Sequence, residues 1–188
     1  MNKQLTEMAD QLSRMTPKGT EQETYFNFAF GALYALARAE ELGYNHQNKT
    51  RGKSTRRSAA VAQVATRMAQ RGVMTWKGEW VAGYFYNDAL LRADIAYEHI
   101  LRYRTGQKKA NGPRLLKKAI DSKMPKSLLI PSWTRVRDEV NNLKHRSWEF
   151  GEGPDIELDE ALGIIQDLIK TVEWALKHGD TFGRKPRE

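Results

Sequence analysis

The chain has no cysteine in its 188 residues. Disulfides and thiolate metal sites are therefore excluded, and the composition suits a reducing cytoplasm, the expected location. Proline is scarce, at six residues, so few points interrupt a helix. No stretch approaches the roughly 18 consecutive apolar residues of a membrane span. The first residues, MNKQLTEMADQLSRM, are too polar for a secretory signal. No membrane partner is expected. Strand-like alternation is also missing. The short apolar run Leu128-Leu129-Ile130 is bounded by Pro125 and Pro131 and is too brief to build a sheet. Neither GxxxxGK[ST], HExxH nor GxSxG occurs, and internal repeats are not visible. Neither a metal nor a cofactor is expected.

What is present is charge of one sign in excess. Lys and Arg number 31 against 23 Asp and Glu, for a formal charge of +8 and a pI of about 9.7. That balance suits a polyanionic partner, above all nucleic acid, and also fits a protein that is merely basic. Residues 44–57, YNHQNKTRGKSTRR, carry Lys49, Arg51, Lys53, Arg56 and Arg57 with no acid. This basic loop is a candidate phosphate-binding segment, each of its charges being equally able to sit in solvent.

Elsewhere apolar residues recur with a helical period. Residues 3–15 predict a short helix ended by Pro17-Lys18-Gly19. Residues 21–43 predict a long helix whose apolar face is Phe26, Phe30, Leu33, Leu36 and Ala37, with Gly43 as its C-terminal cap. A helix over 58–71 has Ser58 as N-cap, with Val61, Val64 and Met68 inward. The longest helix covers 77–104, with Ala82, Phe85, Ala89, Ala93, Ala96, Ile100 and Tyr103 on one stripe, widened by Leu91, Ile95 and Tyr97. A linker from Gly106 to Pro113 and a short helix near 113–121 follow. The closing helix, 158–178, lines Leu162, Ile165, Ile169, Val172 and Leu176 on one face. Acids mark its start, and Lys177, His178 and Gly179 its end. The tail 180–188 reads as mobile. The expected fold is one all-α domain over 1–188, a bundle of four to five main helices.

Trp76, Trp80, Tyr84, Phe85 and Tyr86 are aromatics that fit core or an interface better than base stacking. Asn87, Asp88 and Asp94 on the same helix fit either a wet face or the neighbourhood of a site. Residues 132–149, SWTRVRDEVNNLKHRSWE, hold the chemistry. Pro125 and Pro131 frame the entry to this helix. Trp133, Val136, Val140 and Leu143 form its apolar stripe. Beside it run Arg137, Asn141, Lys144 and His145. Residues four apart are neighbours on a helix, so the row could hold a phosphodiester. Arg137 and Lys144 would neutralise it, His145 would move a proton, and Asn141 would orient a base, a ribose or the histidine. A solvated helix end, with cations near its C-terminus, fits the same residues.

Asn141-Asn142-Leu143-Lys144-His145-Arg146, the loop and helix GEGPDIELDEALGIIQDLIKTVEWAL, and the long helix YFYNDALLRADIAYEHILRY together resemble the HEPN superfamily of small all-α domains. The resemblance spans roughly 77–178. It implies a late-helix signature of Arg, a polar residue, and a His after four to six intervening residues. Here Val140 precedes Asn141, and the nearest upstream Arg, Arg137, leaves seven residues between itself and His145. The activity implied is metal-independent RNA cleavage by a dimer, of toxin or antiviral phage-defence type. The ribose 2′-hydroxyl attacks phosphorus, His145 acts as general acid or base, and Arg137 and Lys144 stabilise the phosphate. Arg146 joins the basic loop as an RNA contact. RNA, a second copy and an antitoxin or other protein are the partners implied. A non-catalytic HEPN-like module that binds RNA or a protein is the alternative.

Overall fold

The computed structural model describes residues 3–41, 79–107, 112–121, 126–145 and 156–178. Among them it is all-helical: α1 (Lys3–Ser13), α2 (Thr20–Glu41), α3 (Glu79–Thr105), α4 (Gly112–Asp121), α5 (Lys126–His145) and α6 (Leu158–Lys177). The expected helix over 58–71, the basic loop, Gly43 and the tail lie outside the described residues.

Each long helix forms because its apolar stripe finds a cover. α2 and α3 make the most extensive contact. Both bury small side chains, Ala29, Ala32, Ala35 and Ala39 on α2 and Ala89, Ala93 and Ala96 on α3. Small residues let two helices approach closely. The pair runs antiparallel. The rings of Tyr25 and Tyr103 lie 6.2 Å apart, and Phe28 stacks on His99 at 5.7 Å. α3 and α6 run parallel, pinned by two buried phenols. Tyr86 donates to the Ile156 carbonyl at 2.6 Å and Tyr97 to the Ile164 carbonyl at 3.1 Å. α5 runs against α6: Ser132 donates to Asp167 at 2.8 Å, while Arg135 meets Glu160 at 2.6 Å. α1 joins α6 through Gln11, which donates to Glu173 at 2.9 Å. The six helices share one apolar core, with Leu12, Leu36, Leu90, Ile100, Leu115, Val136, Ile165 and Val172 within it. Burying one such side chain stabilises by about 1.5–3 kcal/mol.

Three expectations are corrected. Phe30 is 48% exposed instead of inward. α3 covers the alanine face of α2, and the wider apolar arc continues past that contact. Leu91 is 38% exposed for the same reason, on α3. The motif helix begins at Lys126 and passes through Pro131, where a start after the proline was expected. Proline lacks an N–H and removes one helical hydrogen bond. Pro131 and Ser127, whose carbonyl loses that bond, are both exposed, so water can take its place.

Candidate functional site

Trp133, Val136 and Val140 of the α5 stripe are buried as expected, at 2% exposure or less, and the Leu143 side chain lies outside the described residues. In the polar row beside that stripe, the fold holds Arg137 at one end. Its Nη1 donates to both oxygens of Asp94, at 2.9 and 3.2 Å, and to Glu98 Oε2 at 2.6 Å. Trp133, one turn earlier, donates Nε1 to Asp94 Oδ1 at 3.2 Å. Glu98 also accepts from Arg102 Nε at 2.9 Å. Two carboxylates on successive turns of α3 thus meet an indole and a guanidinium on successive turns of α5.

Burial sets the energetics. The Asp94 side chain is 2% exposed, that of Glu98 20%, and that of Arg137 24%. Burial by itself raises the Glu98 pKa, but the hydrogen bonds and charges of Arg137 and Arg102 outweigh it and hold the carboxyl below its ordinary value. Burial likewise works against the charged form of Arg137, and Asp94 and Glu98 overturn it, leaving its pKa raised. Asp94, Glu98, Arg102 and Arg137 carry two negative and two positive charges, so this cluster has no surplus for a phosphate. Its geometry fits a tie between α3 and α5. Gly112, the first residue of α4, packs beside it: a Cβ there would lie 3.6 Å from Arg137 Nε.

Asn141, one turn beyond Arg137, is partly exposed. The backbone of Lys144 and His145 forms the last turn of α5. Their side chains lie outside the described residues, as do Arg146, Lys49, Arg51, Lys53, Arg56 and Arg57. Arg137 and His145 are separated by about 12 Å along the helix axis, at roughly 1.5 Å per residue. Of the aromatics noted in sequence, Tyr86 is fully buried and Phe85 packs against the core. The side chains of Trp76, Trp80 and Tyr84 lie outside the described residues.

Two arrangements escaped sequence reading. Arg104 is 4% exposed, lies 4.8 Å from the Trp174 ring, and donates to the His178 carbonyl. The His178 ring stacks on the same tryptophan at 5.0 Å. His99, stacked on Phe28, has a pKa below its ordinary value. Burial is the main cause, Arg102 adds to it, and Glu98 opposes it. The tie between α3 and α5 did leave a signal in the sequence: Asp94/Glu98 and Trp133/Arg137 share the i,i+4 spacing that lets two helix faces pair.

Charge is partitioned sharply along the chain. The described residues contain 16 Lys and Arg against 18 Asp and Glu. Residues 42–78 alone contain eight Lys and Arg and no acid. The described helices are thus nearly neutral, and the basic excess of the sequence belongs to the remaining residues. Among the described residues, no group of three acids or histidines could hold a metal, and no helix is long and apolar enough to cross a membrane.

None of the family models, curated proteins or solved structures compared with this chain matches it.

Proposed function

We propose that this protein is an RNA-binding helical module of the HEPN type that does not cleave its ligand. The observation that carries the reading is the partition of charge. An acid-free stretch with eight cations, spliced into a nearly neutral helical frame, is the composition expected of a segment that neutralises phosphates. The commitment of Arg137 to Asp94 and Glu98 favours binding over catalysis. A guanidinium already shared by two carboxylates offers a phosphate little net charge, and freeing it would take the charged donor from buried Asp94.

The second reading is a metal-independent endoribonuclease of toxin or phage-defence type, working as a dimer. It is favoured by the continuity of α5, which carries Asn141 and His145 on the same helix as Arg137. In that reading His145 moves the proton, Lys144 with Arg146 takes the phosphate, and Arg137 fixes the helix that presents them.

One experiment separates the two. The protein and its His145→Ala variant are incubated with labelled RNA and resolved on native and denaturing gels. A shifted band with intact RNA in both samples is expected. Product formed by the wild type and lost in the variant would select the nuclease.

A further inference from the structure

We propose that the outer face of α4, carrying Arg114, Lys117 and Lys118, holds the phosphate backbone of RNA. The inference rests on the RNA-binding reading above and adds a folded contact to it.

α4 is short and strongly two-sided. Its inner face is committed to the protein. Leu115 is fully buried in the shared core, and Gly112 packs on Arg137 and Trp133. Arg114, Lys117 and Lys118 are exposed. At 3.6 residues per turn they fall within about 100° of arc, on the side away from Gly112 and Leu115. Among the described residues neither Lys117 nor Lys118 takes part in an ion pair. Asp121 is the one acid in the sequence of this helix, so α4 keeps a surplus of positive charge.

That surplus contrasts with the rest of the helical frame. α1, α2, α3 and α6 together carry 7 Lys and Arg against 14 Asp and Glu. Helices of that balance repel a polyanion. On α5, Arg135 pairs with Glu160, and Arg137 with Asp94 and Glu98. α4 begins beside that neutralised cluster, at Gly112, and brings to its edge the positive surplus that the cluster lacks.

Burial and charge together select the kind of partner. A lipid layer or the apolar groove of another protein takes a basic amphipathic helix by its apolar face. In α4 that face already lies on the core at Leu115 and Gly112, so charge is what remains for a partner. A nucleic-acid backbone requires nothing more, because cations on a helix face neutralise its phosphates whatever the sequence. Lys117 and Lys118 act as point charges, without the planar fork that reads a base edge. The contact therefore adds affinity and salt dependence, and no base preference.

The test is fluorescence anisotropy with fluorescein-labelled, unstructured single-stranded RNAs of about 12 nucleotides, in two sequences and over a salt series. The full chain is compared with Lys117→Gln/Lys118→Gln and with Lys117→Arg/Lys118→Arg. A third variant, Lys3→Gln/Lys18→Gln, removes the same charge from exposed positions on α1 and in the turn after it. Each phosphate contact with a single strand contributes about 0.7 to the salt slope. The α4 glutamine pair is expected to lose about 1.4 of slope, equal to roughly 25-fold in affinity near 0.1 M salt and to little near 1 M. The loss should be the same for both sequences, with the melting temperature unchanged because both lysines are exposed. The arginine pair and the Lys3/Lys18 pair should bind as the wild type does. Wild-type affinity and slope in the α4 glutamine pair overturn the assignment and leave the RNA-binding reading standing. An equal loss in the Lys3/Lys18 pair overturns it too, because net charge would then explain the effect. No binding by the wild type at low salt overturns both. Anionic phospholipid vesicles that the wild type binds and the α4 glutamine pair does not, with RNA affinity unchanged, overturn it and assign the face to a lipid surface.

Discussion

Replacing Arg137 by alanine should damage the fold before it touches any function. Asp94 is 2% exposed and accepts hydrogen bonds from Arg137 Nη1 and Trp133 Nε1. Without Arg137 its carboxylate loses its charged donor and keeps the neutral indole of Trp133, while Glu98 retains Arg102. Breaking a buried ion pair from one side costs about 3–5 kcal/mol, because the remaining charge stays desolvated. Arg137 keeps 24% of its side-chain surface in water, which favours the lower end, about 3 kcal/mol. For a chain of this size that is a fall in melting temperature of roughly 6–12 °C. Thermal unfolding followed by far-UV circular dichroism measures it. Arg137→Lys should fall between, since it keeps the charge and loses the planar fork. The Asp94→Asn/Arg137→Leu pair should recover much of the loss, because the buried charge is gone and Trp133 keeps an acceptor. A melting temperature for Arg137→Ala within about 2 °C of wild type would refute the reasoning, as would strictly additive effects in the double variant.

Other outcomes follow from the same geometry. Tyr86→Phe removes the donor from the Ile156 carbonyl, which precedes α6 and has no helical partner there; a loss of about 1–3 kcal/mol in urea unfolding is expected. The lowered pKa of His99 means that the folded protein favours its neutral ring. Stability is then present above its ordinary pKa of about 6.5 and is lost as pH falls through the lower folded value. Glu98, also lowered, contributes above the ordinary carboxyl range and loses its contribution in more acid solution. Urea midpoints measured from neutral to acid pH should fall in that order, and His99→Gln should flatten the first step alone. Gly31→Ala should displace Arg92 yet change stability by less than about 1 kcal/mol, since helix propensity gains what the contact loses. Calorimetry checks it, and a larger loss would mean that Arg92 is more firmly held than its exposure implies.

Much of the fold was legible because its helices carry narrow, well-filled stripes. Ala89, Ala93, Ala96 and Ile100 on α3, and Leu162, Ile165, Ile169 and Val172 on α6, are buried as their spacing predicts. What periodicity does not encode is which part of a broad apolar arc will be covered. Phe30 belongs to such an arc and lies outside its covered part. Nor does local chemistry weigh tertiary packing, so Pro131 looked like a boundary although the helix passes through it. At the candidate site, sequence marked Arg137 as a special cation without naming its partners. Two outcomes were weighed for it, a phosphate and solvent. The carboxylates 39 and 43 residues away were a third that only the packing of α5 on α3 brings together. Asn141 kept its place on the helix, and the charge partition became clear only once the helices had been delimited.

In the proposed function the basic stretch binds RNA while the helical frame supports it. The most direct measurement is the affinity for labelled single-stranded RNA as a function of salt. Binding is expected at low salt, with log affinity falling linearly in log salt by about 0.7 for each phosphate contacted, and a total slope of several contacts. Absence of binding at low salt, or an affinity indifferent to salt, would contradict it.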